Sequence, residues 1–294
     1  MKATAKIAAV LAAVLLVYAL LAGALTRIFF DSAWVEKEYE RIDIESETGW
    51  DAAQCAKVFN AMLDYSIGAK DELESMTVTE DGQETIFFNE SELNHMKDVR
   101  ALSTGVLKAG LIALIAGLAL YVLAFALLKN AALRVFAKAF LITLAVLIVF
   151  IAAMAVWIAV DFNSFWRVFH IVFLDLESST FDPAESRMIR ICPENLFSDM
   201  IARFAMFAGL GLILPLVLCI IYRRTGNALP ADSRPISVLN AVFASLTAAL
   251  LLAALVTDIR AFIFPAVAAA MGCAVLSAVS VNSIWKHKND VGLQ

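Results

Sequence analysis

Apolar residues run almost unbroken through six stretches of the chain, about 7–26, 102–128, 135–160, 200–222, 236–256 and 261–285. Each meets or approaches the roughly 20 residues a helix needs to cross the hydrocarbon core of a bilayer. Between them the chain turns polar, briefly and with basic residues at 129–138 and 223–235, at length and with acidic residues at 31–100 and 161–199. The pattern predicts an all-α polytopic membrane protein of about six transmembrane helices, with two extracytoplasmic acidic loops forming a helical cap. Residues 1–224 would form a core of four crossings. Residues 225–294 would add a C-terminal extension with two further membrane segments and a basic cytoplasmic tail. The connection between those two segments, TDIR at 257–260, is short enough that a re-entrant hairpin is the alternative. Ala22 and Ala24 form a weak A-x-A site, but the first apolar run exceeds the length of a typical signal h-region and reads as a retained anchor.

Finer periodicity organises the two acidic loops. After Asp51, a fitting N-cap, Cys55, Val58, Phe59, Met62 and Leu63 recur at helical spacing. The polar stretch 66–85 reads as irregular. Asn89 can then cap a helix with Glu92 at its third position reaching back. With no proline or glycine before Gly105, that helix should continue into the second crossing. At 1.5 Å per residue, His95 lies on the order of 10 Å above the start of the apolar run, at headgroup depth. In the second loop Phe162, Phe165, Trp166, Phe169 and Phe173 form a helical stripe with His170 on its edge. A helix so aromatic on one face belongs at the headgroup–acyl boundary. Asp182-Pro183 predicts a turn, and Pro193 suits the start of the helix into the fourth crossing. Arg203, about ten residues into that helix, falls within the outer leaflet. Arginine at such depth marks a functional site by default, with a phosphate, a carbonyl or Asp258 as partner; snorkelling is the alternative.

Composition agrees with this class and adds orientation. Of the 294 residues 61% are apolar, and the mean hydropathy is +0.79. The formal charge of −5 hides two opposite faces, since 18 of the 28 acids lie in 31–100 and 7 more in 161–199. The lysines and arginines of the short connections place both termini in the cytoplasm and both acidic loops outside. No basic face suited to nucleic acid appears, and no CxxC, HExxH or Walker-type motif calls for a metal or cofactor. Cys55 and Cys192 fall in the outer loops, where they are either bridged or free.

Only three histidines are present, and His287 in the basic tail has no evident task. His95 and His170 fall at the same depth on the outer side. On its helix His95 is flanked by Glu92 at i−3 and Asp98 at i+3, either of which can orient the ring. Taken singly, each histidine has an ordinary reading as surface or aromatic-belt residue; together they form a candidate site.

Two segments carry a resemblance. FFNESELNHMKDVR, residues 87–100, resembles the FNERELSHMKDVK-type motif of the bacterial lipoprotein intramolecular transacylase family. FWRVFHIVFLDLESSTFDPAESRMIRICPENLF resembles its second motif through Phe169-His170, Phe173, Asp182-Pro183 and Pro193-Glu194. The likeness in organisation spans about 1–224, with departures at Ser91 (commonly arginine), Ser179 (near a tryptophan) and Ser186 (near a second acid). It implies an enzyme of the bacterial cytoplasmic membrane with its active site on the outer side. The sn-2 acyl chain of a diacylglyceryl lipoprotein would move to the α-amine of its own N-terminal cysteine, giving the N-acyl lyso-form. Ester and amine belong to one substrate, so positioning can supply an effective molarity of about 10⁵–10⁸ M without a nucleophile on the enzyme. His95 and His170 would then be the catalytic base and acid in either order. Glu92, Asp98, Asp182 and Asn89 would be supporting residues, and Phe162, Phe165, Trp166, Phe169, Phe173 and Arg203 would hold lipid.

Three rival readings use the same residues. His95, His170, Glu92 and Asp98 could ligate zinc in a membrane hydrolase. Cys192 or Cys55 could accept the acyl group covalently. A non-catalytic sensor or assembly protein could bind a partner through acidic residues of 36–51.

Overall fold

The computed structural model describes residues 2–29, 31–80, 82–128, 130–174, 181–182 and 185–225. The expected segments 236–256 and 261–285, together with Ser179, Pro183, Asp258 and His287, lie outside the described residues. In chain order the elements are α1 (Lys2–Phe29), α2 (Ser32–Arg41), α3 (Ile44–Thr48), α4 (Ala52–Ile67), β1 (Thr77–Glu80), β2 (Gln83–Ile86), α5 (Glu90–Leu128), α6 (Asn130–Val160), α7 (Phe162–Phe173), α8 (Arg187–Arg190) and α9 (Glu194–Thr225). Among the described residues four helices contain stretches long and apolar enough to cross a membrane: Lys2–Thr26, Glu90–Leu128, Arg134–Val160 and Glu194–Val217. These match the first four apolar runs of the sequence.

Among the described residues, one compact unit comprises 2–23, 109–128, 130–148 and 209–225. Its buried side chains are small: Ala9, Ala13, Ala124, Ala132 and Ala137, joined by Val17, Phe140 and Leu144. Small residues let helix backbones approach closely where lipid offers no hydrophobic drive to associate. The tightest approach is at Gly110, where an added Cβ would sit 2.4 Å from the Cβ of Ala22.

The other unit, the described residues within 24–108 and 149–208, holds the described parts of the two acidic loops. Its core is dense and aromatic. Val35 and Tyr39 of α2 meet Val58, Phe59 and Met62 of α4, with Val78, Phe87, Met96, Met188, Ile191 and Leu196. Tyr39 Oη donates to the Ile191 carbonyl at 2.6 Å, tying the first loop to the second. Asp51 caps α4 as its sequence predicts, Oδ1 accepting from Gln54 N at 2.6 Å. The helix ends at Gly68, whose φ of +81° is a left-handed conformation that glycine adopts without strain.

The all-α expectation needs one correction, because part of the stretch read as irregular is a β-hairpin. Its register is Thr77↔Ile86, Val78↔Thr85, Thr79↔Glu84 and Glu80↔Gln83. Asp-Gly between two alternating polar and apolar segments is the sequence signal for this turn. Gln54 lies against its outer side: the Gln54 Oε1 accepts from Thr79 N at 2.9 Å, and its Nε2 donates to Thr79 O at 3.3 Å. One side-chain amide thus imitates a third strand.

Candidate active site

The first turn of α5 is built by a reciprocal cap. Asn89 Oδ1 accepts from Glu92 N at 2.9 Å, and Glu92 Oε2 accepts from Asn89 N at 2.8 Å. His95 follows one turn later, 8% exposed, ahead of the apolar run of its helix. α7 is started by Asp161, whose Oδ1 accepts from Ser164 N at 2.9 Å. Near its end stands His170, 6% exposed. The structure brings these two histidines together, with ring centroids 5.7 Å apart and planes inclined by 18°.

The surroundings differ for the two rings. Nδ1 of His170 lies 2.7 Å from the carbonyl oxygen of Trp166, one turn back on α7. A carbonyl only accepts, so Nδ1 carries the proton and Nε2 of the neutral ring keeps its lone pair. The Trp166 indole meets the same ring edge-on at 4.7 Å and is itself packed at 4.4 Å against Phe197 of α9. His95 instead faces the ring of Phe181 edge-on at 5.3 Å, and its Nδ1 is buried with no partner among the described residues. Burial, and then the neighbouring His170, pushes the pKa of His95 down to about 4 against a smaller upward pull from Asp98. Burial lowers His170 too, opposed in part by its bond to Trp166. Both imidazoles are therefore uncharged at neutral pH.

Glu92 does more than close the cap. It is 1% exposed, and its Oε1 accepts from Ser186 Oγ at 2.6 Å and from Met188 N at 2.9 Å. Its bonds run to the second loop, where Phe181 covers His95. That loop is held further by Arg187 Nη2 to Glu80 at 2.8 Å and by Arg190, which donates to the Thr48 carbonyl at 2.5 Å and lies over Trp50. Asp98 acts on His95 through its charge. The backbone carbonyl of Asp182 accepts from Glu185 N and Ser186 N at 3.0 and 2.8 Å.

The aromatic stripe forms a continuous ladder. Phe162 stacks on Trp166 at 5.6 Å and Trp166 on Phe169 at 5.8 Å; Phe165 stacks on Phe169 at 6.5 Å, and Phe169 meets Phe173 at 5.1 Å. Phe173 is largely exposed, as are Ile171 and Val172. Arg203 takes a partner that none of the sequence alternatives named. Its guanidinium donates to Asp31 and lies over the rings of Trp34, at 4.4 Å, and Phe207. Two site residues escaped the sequence reading, and a third, Ser186, entered it only as a departure from the family pattern. Phe181 and Phe197 sit in no periodic pattern pointing to the histidines, and Ser186 caps a helix of one turn, too short to signal itself.

Cys55 and Cys192 are both buried free thiols. Burial raises Cys55 to about 11 and raises Cys192 further from its ordinary range. Neither offers a ready thiolate at neutral pH. Among the described residues no three His, Cys, Asp or Glu side chains group so as to hold a metal ion.

A family model described as lipoprotein intramolecular transacylase Lit matches residues 10–197. The chain belongs to the Lit family. It is accordingly a membrane-integral acyltransferase of bacterial type that acts on lipoproteins, and the sensor reading is set aside. Two solved in meso structures of Lit from Bacillus cereus, one with a histidine replaced by arginine and one by alanine, are similar to it. They share 13% identity and a TM-score of 0.59 with this chain, covering 76% of it and 93% and 95% of theirs. At that identity the likeness concerns the fold. No curated protein matches the chain. Against the Lit fold, the histidine pair stands within a segment that the family match spans.

Proposed function

We propose that this Lit protein moves the sn-2 acyl chain of a diacylglyceryl lipoprotein to the α-amine of the same molecule's N-terminal cysteine, with His170 as base and His95 as the polarising donor. The observation that carries this reading is the stacked pair of neutral histidines, one of which has its Nδ1 proton committed to Trp166. Nε2 of His170 takes the proton from the attacking amine as nitrogen adds to the ester carbonyl. An N–H of neutral His95 donates to the carbonyl oxygen as negative charge develops there. The depressed pKa of His95 favours such a neutral donor over an imidazolium. Collapse of the tetrahedral intermediate breaks the ester C–O bond, and the glycerol oxygen leaves with the proton held by His170. One N–H of the amine is lost as it becomes an amide and one O–H is gained by the glycerol oxygen, so protons balance and no water is consumed. Phe162, Phe165, Trp166, Phe169 and Phe173 support acyl-chain binding, and Arg203, held by Asp31, lies over the Trp34 ring.

The test is mass spectrometry of the N-terminal peptide of a diacylated reporter lipoprotein, co-expressed in a host lacking N-acylating enzymes. Total mass should stay constant while one chain moves from glycerol to the amine. His95→Ala and His170→Ala should each lower the rate by about 10²–10⁴, the usual contribution of a positioned acid or base. An unmodified diacylglyceryl N-terminus with the inserted wild-type protein, or full activity in either mutant, would overturn the reading.

A further inference from the structure

The hairpin of the first acidic loop is covered at Thr79 along one edge and open along the other. Phe87 N donates to Met76 O at 2.8 Å, which continues the ladder of the Val78↔Thr85 and Glu80↔Gln83 pairs. In an antiparallel pair the intervening residues turn their N–H and C=O outward. These are Thr77 and Thr79 on β1 and Glu84 and Ile86 on β2. Thr79 is met on both counts by Gln54. The outward groups of Glu84 and Ile86 meet no partner among the described residues, and Ile86 is 61% exposed. Proteins ordinarily blunt such edges; here only one has been blunted.

The open edge leads toward the histidines. β2 passes through the buried Phe87 and Phe88 into α5, where Asn89, Glu90, Ser91 and Asn94, all exposed, line a shallow surface cavity wide open to solvent. Ser91 lies one helical turn before His95, so the cavity begins about 6 Å along the helix from the ring.

We propose that this cavity and the β2 edge bind the polypeptide of the lipoprotein substrate, the residues following its acylated cysteine, in extended form. The proposal rests on the transacylase reading, because there the carbonyl of the reacting cysteine continues into a polypeptide. That polypeptide cannot follow the acyl chains into lipid with its amide groups unsatisfied. The amides and hydroxyl of Asn89, Asn94 and Ser91 suit peptide groups, and a sheet edge pairs with main chain whatever the side chains. Recognition of this kind tolerates many sequences. From His95 to Asn89 along the helix is about 9 Å, and from Asn89 back to Glu84 at most about 18 Å. About eight extended residues would span the track.

The experiment compares reporters that carry two or ten residues after the diacylglyceryl cysteine, with purified full-length enzyme in lipid nanodiscs. The longer reporter should have a kcat/KM at least about fivefold higher, the worth of a backbone hydrogen bond or two. N-methylation of alternate amides in its first eight residues should remove the advantage while leaving the enzyme unaltered. Ile86→Pro, which deletes an N–H facing away from the ladder, should do the same and leave the two-residue reporter unaffected. Equal rates for both reporters, unaffected by methylation, would overturn the track and leave the transacylase reading standing. A change of oligomeric state in Ile86→Pro without loss of the length advantage would show that the edge pairs copies of the chain, which also overturns it. Failure to transfer either reporter would remove the catalytic reading, and the proposal with it.

Discussion

Each imidazole of the pair has a different freedom. His170 has spent its Nδ1 proton on Trp166 at 2.7 Å, so only Nε2 can exchange protons with substrate. His95, with Nδ1 buried and unpartnered among the described residues, can meet substrate with either tautomer. Because burial lowers both pKa values, neither ring should titrate in the range where the substrate amine does, about 7.7–8.0. The expected kcat/KM profile therefore rises with pH through the amine alone, about tenfold per unit below it, and shows no falling limb between 6.5 and 9. Stopped assays on a synthetic diacylglyceryl peptide would check this; a bell centred near 7 would mean that one ring works as an imidazolium. At this scale the sequence was legible for the histidines, whose rarity and matching depth made them conspicuous. It was mute on Phe181 and Phe197, since the contacts that matter join residues 31 and 86 positions apart, with nothing periodic between.

Among the elements, the joint between α5 and the second loop matters most. Glu92 accepts from Asn89 N, Ser186 Oγ and Met188 N at once, so it fixes the segment whose Phe181 packs on His95. Glu92→Ala leaves three donors without an acceptor and should lower unfolding stability by on the order of 3 kcal/mol. Ser186→Ala removes a single bond and should cost about 1 kcal/mol. Thermal unfolding in detergent would rank them; equal, negligible effects would show that the loop is held by its arginines instead. The capping box itself could be read from Asn89 and Glu92, and so could the continuous helix below it. That the same carboxylate reaches residues 94 and 96 positions away could not, because spacing within one helix says nothing about a chain segment returning from elsewhere. The hairpin is the opposite case, since Asp81-Gly82 announced it and the polarity of the surrounding stretch obscured it.

For the whole molecule, the buried neutral histidines link folding to acidity. An imidazole whose pKa is lowered by folding binds fewer protons in the folded chain than in the unfolded one, where its value is about 6.5. The native state is unpenalised above pH 6.5 and loses stability as pH falls from there toward about 4, where His95 protonates in place. Melting temperature should decline over that window, and His95→Phe should flatten part of the decline. An unchanged slope would mean that the ring is charged or hydrated in the native state. The four apolar spans were plain from the sequence because length and composition alone define them. The dense packing of α2 on α4 was hidden, since half of α2 is charged and it shows its apolar inner face only through Val35 and Tyr39.

The buried thiols have a practical consequence. Cys55 and Cys192 stand unbridged in the core that also buries Met96, the neighbour of His95, shielded from any electrophile while that core is closed. Each opening would expose them, so with Cys219 and Cys273 replaced, the rate of maleimide labelling counts how often this part of the protein breathes. The molecule thus carries its own clock, wound by the packing that keeps the site dry and readable without any added probe.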